Sequence, residues 1–198
     1  MSTVPPEEIE RAAQAIEAGE LVVYPTETVY GLGADALDAE AVESVFEAKG
    51  RDRSDPLSMA VPDLATAREY TSPTARERAF IEQFLPGPVT VVLQRKSMVP
   101  DGLTAGSERV GIRIPDHEVA LELARRAGPI TATSANVSGT PSARSVADLD
   151  EAIQNAVAVV LDGGETPGGG STVVDVETGE IHRRGARADE IDAWLAEH

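Results

Sequence analysis

Cysteine is absent from this 198-residue chain, which excludes disulfides, thiolate nucleophiles and the usual structural zinc sites. Histidine is scarce. His117, His182 and His198 lie far apart with no metal-ligand spacing, and they read as surface or locally hydrogen-bonded side chains. No long apolar run occurs and Glu7 and Glu8 stand near the start, so neither a signal peptide nor a transmembrane helix is expected. The chain therefore reads as cytoplasmic with no membrane partner, which makes the glycosylation sequon Asn136-Val137-Ser138 incidental. Cations are the other shortage: Lys and Arg number 17 against 34 Asp and Glu, a formal charge of −17. Tight nucleic-acid binding, which needs many phosphate-neutralising cations, is not expected from such a surface. Only two of the cations are lysines, Lys49 and Lys96. A Lys-poor, acid-rich surface suits a high-salt cytoplasm, where screening cuts the reach of self-repulsion to about 3 Å at roughly 1 M salt.

The length allows a substantial core and reads as one domain over residues 1–198, with no internal repeat and no dividing linker. Ile9, Ala12, Ala13 and Ile16 recur at helical spacing over Glu7 to Glu17, ended by Gly19. Leu21 to Tyr24 reads as a buried strand stopped by Pro25, and Ala41, Val42, Val45 and Phe46 share one face of a helix closed by Gly50. Strands are predicted at Leu57 to Val61, Val89 to Gln94, Val110 to Ile114, Ile130 to Thr133 and Ala156 to Leu161. Helices are predicted from a Ser72-Pro73 start to about Leu85, over Glu118 to Ala127, and from Val146 to Asn155 behind a Ser145 cap. A hairpin of Thr172 to Val176 and Ile181 to Arg184 follows, then a helix over Asp189 to Ala196 with Ile191, Trp194 and Leu195 inward. This irregular alternation implies an α/β fold with a mixed sheet rather than a purely parallel one.

Two polar clusters carry the chemistry: Lys49-Gly50-Arg51 after a helical pattern, and Ser134-Ala135-Asn136 at the end of an apolar strand. Fixed cations beside short hydrogen-bonding side chains suit phosphate oxygens and a small polar substrate. Lysine adds a compact charge and arginine a planar fork, a pairing that suits a triphosphate, and Arg53 extends the cluster. The same cations also fit a solvated run at a helix end, where the dipole favours them. Thr131 to Asn136, with Ser138, Gly139 and Ser142, is dense in hydroxyls at a strand end favoured by ligands, and equally fits a capping loop. Ser134 is a poor nucleophile, since neither Gly-x-Ser-x-Gly nor a histidine base accompanies it. Pro25 to Gly33 places two hydroxyls, a carboxylate and a phenol beside glycines, as a substrate loop or an ordinary turn. Gly168-Gly169-Gly170-Ser171-Thr172 lacks the lysine and the following helix of a phosphate loop, which leaves a flexible lid or a close backbone contact. Arg113 and the pair Arg183-Arg184 could each clamp a carboxylate or phosphate. The two clusters are expected to converge on one pocket, and Ala in place of Lys49 or Arg51 is expected to remove activity while leaving the fold intact.

Taken together, Tyr24 to Gly33, Lys49-Gly50-Arg51, Asp55-Pro56-Leu57, Pro86 to Thr90, Val110 to Pro115, Ser134-Ala135-Asn136-x-Ser138-Gly139 and Ser171 to Asp175 resemble the YrdC-like family of threonylcarbamoyl-AMP synthases. The resemblance runs in order from about residue 10 to residue 187. It implies a twisted mixed parallel and antiparallel sheet, flanked by helices, with a concave active-site face. It implies a nucleotidyltransferase that makes threonylcarbamoyl-adenylate and pyrophosphate from L-threonine, bicarbonate and ATP. That product feeds a tRNA threonylcarbamoyl transferase complex. Lys49, Arg51, Ser134 and Asn136 would form the catalytic tetrad; Thr28, Arg113 and Ser171 would hold threonine. Asp55, Ser142 and Arg183 would join Lys49, Arg51 and Ser134 on ATP, with Mg²⁺ bound through the phosphates and no side-chain metal ligand. Asp55 stands where the family commonly has asparagine and Ala60 where a histidine is frequent, and no second domain is expected after the synthase unit. A paralogue with an altered carbamoyl-transfer substrate and an RNA-binding module are the alternatives.

Overall fold

The computed structural model describes residues 4–198. α1 (Pro6–Glu17) buries Ile9, Ala12, Ala13 and Ile16, the stripe its periodicity predicts, and carries proline in its first turn, where a missing N–H costs little. β1 (Leu21–Tyr24) is buried throughout and pairs with β2 (Gly31–Gly33), a strand with no signal in the sequence. Two glycines make a poor strand by propensity. Tertiary contact explains them: the Tyr24 ring lies over both, and a Cβ at Gly31 would stand 2.7 Å from its Cζ.

α2 (Ala39–Lys49) starts on Asp38, whose carboxylate accepts from the Glu40 N–H, and ends at Gly50. β3 (Ser58–Ala60) lies within the predicted strand, but the short α3 (Leu64–Tyr70), capped by Asp63, buries only Ala67 and leaves no readable stripe. α4 (Ala75–Phe84) begins later than predicted. Thr74 and Glu77 close a reciprocal capping box, whereas the Ser72 N–H bonds to Gln94 O and stays extended beside β4 (Val89–Gln94). β5 (Arg109–Arg113), α5 (Glu118–Ala127) and β6 (Ile130–Ser134) follow closely as read. The helix predicted over Val146 to Asn155 is broken into a 3₁₀ turn, Val146–Asp148, and α6 (Glu151–Ala156). Leu149 is extended between them, and Asp150 accepts the Val137 N–H at 2.8 Å instead of continuing a helix. β7 (Val157–Val160), the hairpin β8 (Thr172–Asp175) and β9 (Glu180–Arg183), and α7 (Ala188–Glu197) complete the chain.

The strands form one sheet in the order β7-β1-β2-β6-β3-β5-β4-β8-β9. Three pairs are parallel (β1 with β7, β3 with β5, β4 with β8) and five antiparallel, which makes the sheet mixed. Strand alternation sends Val23, Met59, Val91, Ile112 and Val174 to the core under α2, α4 and α7, where Phe80 and Phe84 stack and both meet Trp194 edge to face. Val22, Tyr24, Ala60, Ile130 and Val159 face the other side, where α1 and α5 cover part of the sheet. The rest of that face is left bare by helices and becomes the floor of a cleft. No helix among the described residues is long and apolar enough to cross a membrane.

Candidate active site

The cleft holds about 760 Å³, and its floor is the uncovered face: Ser58 and Ala60 from β3, Thr90 and Val92 from β4, Arg109, Gly111 and Arg113 from β5, and Val173 from β8. These positions alternate with core residues on the same strands, so one two-residue period builds both the core and the floor.

The loop after β1 makes one wall. Thr26 Oγ1 donates to Val29 O at 2.7 Å and accepts the Thr28 N–H at 3.2 Å, which curls the backbone into a tight polar turn. Arg113 reaches this turn from the floor, and its Nη2 donates to Thr28 Oγ1 and Glu27 Oε1, both at 2.9 Å. Tyr30 extends beyond the turn, its hydroxyl donating to Gly164 O at 2.6 Å and accepting the Gly163 N–H at 3.1 Å. The Gly168 N–H donates to Thr28 O at 2.7 Å, so the glycine-rich segment is tied across the cleft mouth, with Gly169 and Gly170 in the lining.

The second wall is where the two polar clusters meet. Lys49 ends α2 fully enclosed, at 2% exposure, and its Nζ donates to Asn136 O at 2.8 Å and to Ser134 O. Asn136 donates from Nδ2 to Val137 O at 2.9 Å and Thr140 O at 2.8 Å, while its buried Oδ1 has no partner among the described residues. Lys49 and Asn136 therefore stand behind the wall, and Ser134 and Ser142 face the cleft. Arg51 faces it too, its fork steadied by Asp55 O at 3.0 Å and Pro56 O at 3.1 Å. Arg53 leaves the cluster to pair with Glu43 on the outer surface.

The third wall is the β8–β9 hairpin. Arg183 donates from Nε to Ser171 O at 3.0 Å and from Nη2 to Ser171 Oγ at 2.7 Å, which leaves the hydroxyl proton free to donate elsewhere. The pairing register slips here, Val173 opposing Arg183 but Val174 opposing Ile181, so His182 is an extra residue in a bulge. Both His182 and Arg183 consequently line the cleft. Arg184 turns away to Asp189 and Asp192.

Four arginines and one carboxylate, Asp55, line the cleft in a chain of net charge −17. Arg109 is compensated by Glu77, Asp175 and Glu177, whereas Arg51, Arg113 and Arg183 converge with less compensation. Burial, and then repulsion from Arg113 and Arg51, lower the pKa of Arg183 below the usual arginine value. Burial, then Arg51, bring Lys49 down to about 8, against an opposing pull from Asp150. Such a convergence favours a polyanion, and the surrounding hydroxyls supply directional donors for a small polar partner.

Of the residues singled out in the sequence, Thr28, Arg51, Asp55, Arg113, Ser134, Ser142, Ser171 and Arg183 share this cleft, with Lys49 and Asn136 directly behind it. The burial of Lys49, at the wall of the site, argues against the expectation that its replacement leaves the fold intact. Ser58, Thr90, Arg109 and His182 were not anticipated. Alternation along β4 and β5 marks Thr90 and Arg109 once Arg113 is placed, but nothing in the sequence marks a bulge at His182.

The family model for Sua5, YciO and YrdC proteins, described as "Telomere recombination", matches residues 14–185. The threonylcarbamoyl-AMP synthase of Pyrococcus abyssi is 43% identical over 170 residues, 83% of this chain and 49% of that protein. That of Bacillus subtilis is 41% identical over 172 residues, 84% of this chain and 49% of the relative. The chain thus spans about half the length of these curated relatives. The crystal structure of P. abyssi Sua5 complexed with L-threonine matches with a TM-score of 0.89 at 40% identity, over 96% of this chain and 57% of that one. The family match takes in every wall of the cleft, from the turn after β1 to Arg183, and with it the chain belongs to the Sua5/YciO/YrdC family.

Proposed function

We propose that this chain makes threonylcarbamoyl-adenylate and pyrophosphate from L-threonine, bicarbonate and ATP, a reading supported by relatives that carry the name threonylcarbamoyl-AMP synthase. The observation that carries the reading is the convergence of Arg51, Arg113 and Arg183 on one hydroxyl-lined cleft in an otherwise strongly acidic chain. In this reading Arg113 and Thr28 receive the threonine carboxylate, and Ser171 donates its free hydroxyl proton to the same substrate. Arg51, Ser134, Ser142, Asp55 and Arg183 line the nucleotide's path, with Lys49 and Asn136 shaping the Ser134 turn from behind.

The threonine amine combines with bicarbonate, losing water, to give a carbamate. A carbamate oxygen then attacks the α-phosphorus, the bond to the bridging oxygen breaks, and pyrophosphate leaves with that oxygen. The chain offers no covalent intermediate for this sequence. Its residues align the two reactants and neutralise charge that spreads over the phosphoryl oxygens. Among the described residues no group of three or more His, Cys, Asp or Glu is placed to hold a metal ion, so we place Mg²⁺ on the phosphates of ATP. Bound there it would supply further neutralisation of the leaving pyrophosphate. The adenylate would pass to a tRNA-modifying transferase.

Pyrophosphate release by the purified chain, with threonine and bicarbonate omitted in turn, tests the proposal. Release should fall to background on either omission, and Arg51→Ala should lower it at least tenfold with the fold retained, since Arg51 is only partly buried. Release indifferent to both omissions rejects the synthase.

A further inference from the structure

We infer that Glu27 is a positioning residue that holds the Arg113 guanidinium in the orientation an amino-acid carboxylate needs. The inference rests on the synthase reading and adds to it a residue with no role so far. Glu27 lies between Thr26 and Thr28 in the turn after β1, where the two threonines already bond to each other at 3.0 Å. Arg113 lines the cleft and Glu27 does not, so the carboxylate meets the guanidinium away from the ligand space. The ion pair is largely enclosed, with side-chain exposures of 13% for Arg113 and 15% for Glu27.

The donor count shows what this pairing does. A guanidinium has five N–H groups in a fixed plane. Both on Nη2 are engaged, one by Glu27 Oε1 and one by Thr28 Oγ1, each at 2.9 Å. Nε is buried without a partner, and Nη1 makes no hydrogen bond among the described residues. Two acceptors on one nitrogen fix the plane of the fork and, with Nε enclosed, leave the two Nη1 donors for a ligand. Because Thr28 Oγ1 accepts from Arg113, its own proton is directed away from the guanidinium.

The counter-charge matters as well. Arg113 stands near enough to Arg183 to depress its pKa, so the two guanidiniums repel each other. The Glu27 carboxylate, paired with Arg113, offsets that repulsion. Its second oxygen, Oε2, is enclosed without a partner, an arrangement that costs stability and is tolerated where a site needs it. A carboxylate serving the fold alone would be expected to have both oxygens satisfied, as the buried Glu77 has, its Oε1 accepting from Arg109 Nη2 and its Oε2 from the Thr74 N–H.

The test is steady-state kinetics of pyrophosphate release for Glu27→Ala and Glu27→Gln, with thermal unfolding of each. Glu27→Ala should raise the KM for threonine about tenfold or more, because small misplacements of a positioning group are amplified, while leaving the KM for ATP within about twofold. Glu27→Gln keeps an acceptor at the same reach without the counter-charge and should recover part of that loss. Should the alanine variant fail to fold, Glu27→Asp, which withdraws the carboxylate by one methylene, is measured against Glu27→Gln with the same expectation. A threonine KM unchanged in Glu27→Ala, or equal rises for threonine and ATP that track a lowered unfolding temperature, overturns the inference and leaves the synthase standing. Wild-type protein whose release ignores threonine removes the synthase reading and this inference together.

Discussion

An ammonium at 2% exposure is costly to desolvate, and Lys49 meets that cost with two main-chain carbonyls, those of Ser134 and Asn136. Its removal should therefore be felt in the fold. Lys49→Ala is expected to lower stability by about 1–3 kcal/mol for each carbonyl left without a donor, readable as a shift in denaturant midpoint. An unshifted midpoint would mean that water replaces the ammonium freely. The pH dependence has a definite sign. Because the folded pKa is lowered to about 8, between that value and the free-lysine value the folded protein binds fewer protons than the unfolded one. The contribution of Lys49 to stability therefore rises with pH above about 8, whereas below it the whole cost of burying the charge is present. Nucleotide affinity should run the opposite way. Loss of the cation behind Ser134 as pH climbs through about 8 should raise the KM for ATP, and a KM flat across that range would remove Lys49 from the electrostatics of the site.

Among the elements, the β8–β9 hairpin depends most on backbone fit. A Cβ at Gly185 would lie 2.3 Å from Gly170 O and 2.7 Å from the Ser171 carbonyl carbon, so the chain after β9 packs against the main chain that presents Ser171. Gly185→Ala should displace that segment, loosen the Arg183 contacts to Ser171, and cost about 1–3 kcal/mol of stability as overpacking does. Gly170→Ala is the control, since nothing lies within 4 Å of its Cβ position and its melting temperature should not move. Equal melting temperatures for the two variants would deny the close approach. The elements differ in how far the sequence announces them. α1 and α5 bury a clear helical stripe and were legible to within a residue or two. α3 buries one residue and β2 is mostly glycine, so neither carries a local signal strong enough to read. The break between the 3₁₀ turn and α6 escapes local reading for a different reason, because Asp150 is drawn off to the Val137 N–H on another segment.

For the whole molecule the governing quantity is the formal charge of −17. At low salt the acidic surface repels itself over about 10 Å, a reach that falls to about 3 Å near 1 M. The thermal midpoint should therefore climb between dilute and molar KCl. A midpoint that stays level would show that the ion pairs already in place, such as Arg126 with Glu10 and Glu122, neutralise enough of the surface without salt. The same charge leaves the arginine-lined cleft as an island of opposite sign on an acidic surface.

Local pattern alone determined the mixed α/β class, the helices with a full apolar stripe, and the identity of the residues able to handle phosphate and carboxylate. Those properties reside in single side chains or in periods of two and 3.6 residues, which any stretch of sequence displays. Tertiary structure decided the assignment of place: Ser134 and Arg51 to the cleft surface, Lys49 and Asn136 behind it, and Glu27 behind Arg113. It also turned His182 inward through a one-residue bulge. Register between strands and packing between distant segments set these outcomes, and both depend on contacts that no local window of the chain contains.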